Sequence, residues 1–254
     1  MQIGSRDVGT VAKSLLDLRH YHAALNMVRL YEKPAGMFRR YLTGRGDYPF
    51  TARVKTPSGW LDLRCFTPHD VLTVNEIFCR EDYPADAKDK VVVDFGSNIG
   101  VSAAYFLSRG PQVHAYLFEP LPANVERLHI NLARFTDRYT LEQVAVGPEE
   151  GEVEFGWEET GRYGGVGAAT GKTMSVMCRN SSKVLEEVIA RHGQIDVLKV
   201  DIETLEQAVI EGIPPSLARH INKIYVEYVF GSNPLAGTHS HSQYGDIAQF
   251  VRSS

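Results

Sequence analysis

Short apolar runs alternate with helical spacings along the chain from residue 91 onward. The runs are typical of strands buried on both faces, and the stretches between them, with apolar residues three or four positions apart, are typical of amphipathic helices. The predicted strands are Val91–Phe95, His114–Phe118, 139–146, Ile195–Val200 and 223–230, and the predicted helices are 99–109, 122–135, 184–192 and 205–211. This alternation predicts an α/β fold whose mostly parallel sheet carries helices on both faces.

The first 90 residues have a different pattern. The predicted elements there are a helix over 8–31, two strands over 51–56 and 60–66 around Pro57-Ser58-Gly59, and a helix that begins at Pro68. We therefore predict an N-terminal cap of helices and a β-hairpin over residues 1–90, followed by a core over residues 91–254.

Two later segments interrupt the alternation. Residues 156–171 include six glycines, and residues 231–242 form a polar stretch directly after a predicted strand. Both compositions predict mobile loops. The second loop would lie on the functional side, because ligands of open parallel sheets bind at the carboxyl ends of the strands. The remaining stretch, 243–252, is predicted to be a helix.

Charge and composition exclude several kinds of partner and site. The net charge is −4, and residues 91–254 carry 20 acidic against 13 basic side chains, so we expect no nucleic acid partner. The three cysteines, Cys65, Cys79 and Cys178, have no disulfide or zinc spacing. Because neither a signal peptide nor a bilayer-spanning apolar run is present, we expect a cytoplasmic protein without a membrane partner. A homodimer stays open.

The end of the first core strand carries the clearest chemical signal. In VVVDFGSNIG, Asp94 is followed by Gly96, Asn98 and Gly100. A tight turn there lets the backbone approach a ligand, and the next helix presents unpaired N–H groups to it. Dinucleotide sites favour G-x-G-x-x-G, and a carboxylate at residue 94 would repel a pyrophosphate. S-adenosylmethionine (AdoMet), which has an ammonium group and no phosphate, fits the G-x-x-x-G spacing better.

Glu119 ends the second core strand, 25 residues after Asp94. A carboxylate at this place can accept hydrogen bonds from both hydroxyls of a ribose. NAD-dependent enzymes share that feature. It therefore supports a nucleoside ligand without choosing between the two cofactors.

With these residues the chain resembles the FkbM family of AdoMet-dependent methyltransferases over about residues 76–230. The segments that carry the resemblance are EIFCREDY, VVVDFGSNIG, LFEPLPANVERLHINL, EQVAVG, IDVLKVDIETLE and IYVEY. Thr204 stands where the family usually has glycine. The resemblance implies the Rossmann-like class I fold, which usually ends in an antiparallel hairpin. Either residues 151–180 supply those edge strands or the sheet is shorter than usual.

The resemblance also implies roles for individual residues. Asp94, Gly96, Asn98, Gly100 and Ser102 would surround the methionine part of AdoMet, Glu119 would hold the ribose, and Gln143, Val144 and Ala145 would border the adenine. Glu81 and Tyr83, just before the core, would contact the substrate, although Tyr83 could equally serve packing.

The acceptor of a methyl group must be aligned with the methyl carbon, and a neutral hydroxyl also benefits from a base. The candidates that follow the fourth and fifth core strands are Asp201, Glu203, Glu227, His239 and His241. Asp201 is favoured, and its alternative role is to position AdoMet or a helix N-terminus. The three carboxylates and a histidine could also hold a divalent metal ion, although no known metal motif is present.

O-methylation of a hydroxyl on a sugar or a natural product is the leading hypothesis, because the family resemblance points to it. Two alternatives are an NAD-dependent oxidoreductase and an AdoMet-binding module without turnover. The identity of the small-molecule acceptor, and O- against N-methylation, stay open at this point.

Overall fold

The computed structural model of the chain describes residues 2–3, 6–7, 18–158 and 164–253. The chain divides into two compact units, Met1–Pro84 and Ala85–Ser254. The boundary predicted after residue 90 thus lies inside the second unit, directly before its first strand.

The first unit combines helices with short antiparallel strands. Its elements are β1 (Gln2–Ile3), β2 (Arg6–Asp7), α1 (Leu18–Leu30), α2 (Pro34–Thr43), β3 (Phe50–Thr56), β4 (Gly59–Cys65) and α3 (Pro68–Phe78). Strands β3 and β4 form the predicted hairpin and bury alternate residues. Helix α3 begins at Pro68 as predicted, because Thr67 and Asp70 form a capping box that satisfies amide groups of the first turn. The predicted helix over 8–31 is present from residue 18, and residues 8–17 lie outside the described residues.

The second unit contains two sheets and five α-helices among its described residues. Its elements are β5 (Val91–Phe95), α4 (Val101–Leu107), β6 (His114–Phe118), α5 (Pro122–Asn131), a 3₁₀ helix (Ala133–Arg138), β7 (Tyr139–Glu142), β8 (Ala145–Gly147), β9 (Gly151–Trp157), β10 (Gly164–Val166), β11 (Lys172–Asn180), α6 (Ser181–His192), β12 (Ile195–Val200), α7 (Glu206–Glu211), α8 (Pro215–Ala218), β13 (Ile221–Glu227), β14 (His239–Tyr244) and β15 (Ile247–Arg252).

The central sheet has seven strands in the order β14-β15-β13-β12-β5-β6-β7. The five strands from β13 to β7 run parallel. Strands β5 and β12 are buried along their whole length, as expected of central strands in a parallel sheet that is covered on both faces. The fold is therefore the Rossmann-like class I arrangement that the sequence predicts, and the carboxyl ends of five strands meet at one edge.

The C-terminal segment corrects two predictions. The stretch 243–252 is not a helix, and the stretch 231–242 is not wholly a loop, because β14 and β15 form an antiparallel hairpin that turns at Gly245. Strand β15 pairs with β13 and β14 pairs with β15, so the hairpin supplies the antiparallel edge of the sheet. The physical reason is aromatic packing across the hairpin: Phe250 is fully buried, and the ring of His241 stacks on it at 4.8 Å.

The glycine-rich stretch 156–171 also differs from its prediction. It contributes to β9 and β10, which pair antiparallel in a second sheet of order β10-β9-β11-β8, while residues 159–163 lie outside the described residues. A methyl group built on Gly156 would stand 1.9 Å from the carbonyl oxygen of Ala168. The glycines therefore permit close approach of backbone segments as well as flexibility. The predicted strand 139–146 is divided between the two sheets, as β7 and β8.

Candidate active site

The loop between β5 and α4 lies at the carboxyl edge of the parallel sheet. The backbone amides of Gly96 and Ser97 both donate to the carbonyl oxygen of Phe118 at 3.0 Å, which ties the loop to the end of β6. Gly96 has a φ of +80°, and a methyl group built on it would stand 1.8 Å from the carbonyl oxygen of Asp201. Only glycine fits there, since both the dihedral angle and the space exclude a side chain. The loop and the segment after β12 are therefore in direct contact.

Glu119 closes the other side of this loop. Its Oε2 accepts a hydrogen bond from the backbone amide of Asn98 at 2.8 Å, and its Oε1 accepts from Leu121 N at 3.0 Å and from Asn124 Nδ2 at 3.2 Å. The side chain is 5% exposed, and burial raises its pKa to about 7, although the hydrogen bonds oppose this shift. A carboxylate oxygen accepts more than one hydrogen bond, so this group can still take a ligand hydroxyl.

The predicted adenine border follows the next strand. Gln143 is exposed, Val144 is half-buried and Ala145 is buried, in the connection from β7 to β8. The backbone amide of Glu119 donates to the carbonyl oxygen of Glu142 at 3.3 Å. The structure therefore brings this connection next to the carboxylate that was predicted to hold a ribose.

Asp94 has a different immediate partner from the predicted one. Its carboxylate is fully buried, with Oδ2 accepting from the Ser102 hydroxyl at 2.5 Å and Oδ1 accepting from Lys199 Nζ at 3.1 Å. Burial raises the pKa of Asp94, and the charge of Lys199 opposes the shift. Asp94 and Ser102 are thus buried and contact each other, whereas Gly96 and Asn98 are the half-buried residues of the loop.

Lys199 is a site residue that the sequence analysis missed. It lies within the buried strand β12, and its ammonium group also donates to the carbonyl oxygen of Gly96 at 3.0 Å and pairs with Asp201 Oδ2 at 3.1 Å. Burial by itself would lower its pKa, but the carboxylates of Asp201 and Asp94 outweigh that effect and raise it. The available signal was a lysine within the predicted buried strand IDVLKV, directly after Val197 and Leu198, where a charge is costly unless it is paired.

Asp201 and Glu227 form a carboxyl pair at the ends of β12 and β13. Their side chains share a hydrogen bond, which requires one of the two groups to be protonated. The charge of Asp201 is the first cause that raises the pKa of Glu227, and desolvation is the second. Glu227 is exposed and Asp201 is partly so, and the pair can therefore meet a ligand. Two of the predicted catalytic residues are thus brought together.

Glu203 belongs to the loop after Asp201, and its neighbours hold that loop in a left-handed conformation. Glu203 has a φ of +53° and Thr204 has a φ of +95°. The Thr204 hydroxyl donates to the carbonyl oxygen of Val166 in β10 at 2.9 Å, and a methyl group on Gly165 would stand 2.3 Å from the carbonyl oxygen of Glu203. Thr204, where the family usually has glycine, therefore adopts a glycine-like conformation that contact with β10 supports.

The two histidines do not reach this edge. His239 is buried, and its ring nitrogens contact the Thr238 hydroxyl at 2.9 Å and the carbonyl oxygen of Ile221 at 3.0 Å, at the amino end of β13. Burial lowers its pKa. His241 pairs with Phe250 in the hairpin, away from the carboxyl pair. Both were expected in a loop beyond the strand; their place in β14 explains why they lie elsewhere.

Glu81 and Tyr83 belong to the first unit, where Glu81 is exposed and Tyr83 is buried. Their contact with substrate stays a prediction. Within the described residues, no group of three or more histidine, cysteine, aspartate or glutamate side chains is arranged to hold a metal ion. The described helices include none with the length and apolar character needed to cross a membrane.

Comparison with known proteins identifies the family of the sequence. A sequence model described as the methyltransferase FkbM domain matches residues 94–253. The chain is 24% identical over 220 residues to the AMB antimetabolite synthetase AmbE of Pseudomonas aeruginosa, in a match that covers 66% of this chain. It spans only about a tenth of that relative, since the match covers 10% of its length.

Solved structures with a similar arrangement are more distant in sequence. A methyltransferase from Geobacter sulfurreducens is 14% identical with a TM-score of 0.39, and the match covers 66% of this chain and 73% of that one. An O-methyltransferase family protein from Burkholderia thailandensis is 11% identical with a TM-score of 0.40, covering 74% of this chain and 60% of that one.

Proposed function

The chain belongs to the FkbM methyltransferase family, and from that premise we propose that it transfers the methyl group of AdoMet to a hydroxyl oxygen of a small molecule, such as a sugar or a natural product. One observation carries the proposal. The carboxyl pair of Asp201 and Glu227 stands at the edge of the sheet, in contact with the loop of Gly96. A hydroxyl benefits from a base beside the cofactor, and this pair is an accessible acidic group next to the loop between β5 and α4, the proposed cofactor loop.

The residues of the loop fit AdoMet. Gly96 and Asn98 are accessible on the loop, and Glu119 Oε2 accepts one hydrogen bond from the protein and retains capacity for a ribose hydroxyl. When bound, AdoMet supplies a methyl carbon that the adjacent sulfonium activates. The positive charge of the buried Lys199 offsets one of the two negative charges of its partners, Asp94 and Asp201. The site is therefore not strongly repulsive toward the carboxylate group of AdoMet.

Within this proposal Asp201 is the general base. Its carboxylate would take the proton of the acceptor hydroxyl while the oxygen forms its bond to the methyl carbon and the bond from that carbon to sulfur breaks, which leaves the electron pair on sulfur as a neutral thioether. Glu227 would hold the proton of the shared hydrogen bond, because its pKa is raised, while the Asp201 carboxylate is paired with the ammonium group of Lys199. The acceptor oxygen would therefore lie between the Asp201 side chain and the loop of Gly96.

The acceptor class is inferred from a relative. The similar segment of AmbE belongs to a protein named as an antimetabolite synthetase, which supports a small natural product as acceptor. The excess of acidic residues after residue 90 supports an acceptor without a polyphosphate backbone.

The test is methyl transfer from AdoMet with a labelled methyl group to a panel of glycosides and hydroxylated natural products, each paired with its amino analogue. We expect label in the hydroxyl compounds, with a mass gain of one methyl group. Label in the amines alone would overturn O-methylation. AdoMet binding without label in any acceptor would favour a binding module, and a thermal shift with NAD but not with AdoMet would favour the oxidoreductase.

AdoMet affinity is expected to weaken as the pH is lowered through about 7. Burial raises the pKa of Glu119 to about 7, whereas ribose hydroxyls donate to the ionised form. Below that pH, binding must release a proton, so the association constant should fall about tenfold between pH 8 and pH 6. Isothermal titration calorimetry in buffers with different ionisation enthalpies measures both the affinity and the proton release.

Glu119→Gln is the control for this pH dependence. It should bind AdoMet more weakly and should show no proton release, because the titrating group is gone. If the wild-type protein binds equally well at pH 6 and pH 8, Glu119 does not hold the ribose as an ionised carboxylate.

A further inference from the structure

Lys199 is a buried charge that takes no part in the proposed proton transfer. All six residues of β12 are buried, and Lys199 is 2% exposed. Placing an ammonium group in a hydrophobic strand is costly, and such groups are retained where their partners are well matched. Its partners therefore indicate what the residue does.

The partners of Lys199 come from both sides of the site. The ammonium group donates to Asp94 Oδ1 at 3.1 Å and to the carbonyl oxygen of Gly96 at 3.0 Å, and pairs with Asp201 Oδ2 at 3.1 Å. These acceptors match the three N–H donors of a lysine. The first two belong to the end of β5 and the cofactor loop, and the third is the carboxylate proposed as base.

We propose that Lys199 is a positioning residue, which fixes the Asp201 carboxylate against the cofactor loop by bridging Asp94, the Gly96 carbonyl group and Asp201. The proposal rests on the proposed function, in which Asp201 acts as base. Lys199 stands opposite Asp94 in the register of β12 and β5, and its ammonium group can therefore contact residues of the neighbouring strand. Lys199 thus links the geometry of the loop to the orientation of the base.

The bridge also has an electrostatic consequence that can be measured. The charged groups around Lys199 are Asp94, Asp201, Glu227 and Glu119, and Glu203 also acts on Glu227. The charge of Lys199 opposes the raised pKa of Glu227. Removal of that charge should therefore move the titration of the carboxyl pair to higher pH.

The experiment compares Lys199→Met with Lys223→Met. Lys223 is a matched control, because it also pairs with two carboxylates, Asp86 and Asp89. It differs in that it belongs to β13, and both of its partners lie in the segment before β5. The first readout uses the protein without cofactor: carbon-13 NMR titration of the side-chain carboxyl groups, with the pair identified by Asp201→Asn and Glu227→Gln. We expect the pair to titrate at higher pH in Lys199→Met and at the wild-type pH in Lys223→Met.

The second readout is turnover with the best acceptor of the panel. Lys199→Met should lower kcat by at least about a hundredfold with a smaller change in acceptor KM, as expected when a base is misplaced. Lys223→Met should keep kcat within about threefold. An unchanged carboxyl titration in Lys199→Met, or equal losses of kcat in the two variants, would overturn the proposal.

A second variant covers a folding failure of Lys199→Met. In Lys199→Met/Asp94→Asn the buried negative charge is removed together with its cation, and the amide oxygen at residue 94 can still accept from Ser102. We expect this variant to fold and to keep the slow turnover. Recovery of wild-type kcat would show that Lys199 only neutralises Asp94 and would overturn the positioning role.

The failure of the two proposals can be told apart. If the carboxyl titration shifts as expected but the wild-type protein methylates no acceptor, the proposed function fails while the bridge is supported. If methyl transfer occurs and the titration does not shift, the function stands and the bridge is overturned.

Discussion

Gly96→Ala is expected to destabilise the protein by about 2–5 kcal/mol and to abolish AdoMet binding. The residue has a φ of +80°, which disfavours any side chain, and the new methyl group would stand 1.8 Å from the carbonyl oxygen of Asp201. Either the loop or the segment after β12 must move, and each carries part of the site. Denaturant unfolding measures the loss of stability, and titration calorimetry measures the loss of binding.

Gly193→Ala is the matched control for this change. Gly193 follows helix α6 with a φ of +81°, and a methyl group there would meet nothing within 4 Å. It should therefore show only the dihedral cost, about 1–2 kcal/mol, with AdoMet affinity retained. Equal effects of the two substitutions would mean that the contact between Gly96 and Asp201 has no importance for the site.

Asp201→Asn is expected to lower kcat by about 10²- to 10⁴-fold, the range for loss of a general base, while AdoMet affinity changes little. The amide keeps the size of the side chain but cannot take a proton from the acceptor hydroxyl. Single-turnover kinetics with a saturating acceptor measures the chemical step. An unchanged rate would remove Asp201 from the reaction.

The pH profile of this variant gives an independent check. The charge of Asp201 is the first cause of the raised pKa of Glu227, so its removal should lower that pKa. Residual activity that needs ionised Glu227 should then begin at lower pH than the activity of the wild-type protein. Asp196→Asn is the control: Asp196 lies at the opposite end of β12, where it accepts from the backbone amides of Lys90 and Val91. That variant should lose stability and retain the wild-type pH profile.

The parallel sheet could be predicted because its strands are short, mostly apolar segments that alternate with helical spacings. Val91–Phe95, His114–Phe118 and Ile195–Val200 have the predicted bounds to the residue. The C-terminal hairpin was mistaken for a helix because its pattern is irregular: Ile247 and Ala248 are both buried, against the alternation expected of a half-buried strand. Its fold depends on contacts of Phe250 with Phe230, after β13, and with His241 of β14, which local spacing does not encode.

The candidate site shows the same limit. Glycine spacing and the position of Glu119 predict a nucleoside site, and the structure brings the two together through the hydrogen bond from the amide of Asn98 to Glu119. The partner of Asp94 could not be predicted, because Lys199 is 105 residues away and meets it only through the register of two strands. A carboxylate that was expected to face a ligand ammonium therefore faces an ammonium group of the protein itself.

The contact of β10 with the loop after Asp201 restricts how this enzyme could be re-engineered. Thr204 donates to the carbonyl oxygen of Val166, and Gly165 leaves just enough room for the carbonyl oxygen of Glu203. A hairpin transplanted from a homologue to change acceptor choice would carry its own backbone into that contact. It would displace the segment that follows Asp201, the proposed base, so a library aimed at acceptor choice should vary 164–166 and 203–204 together.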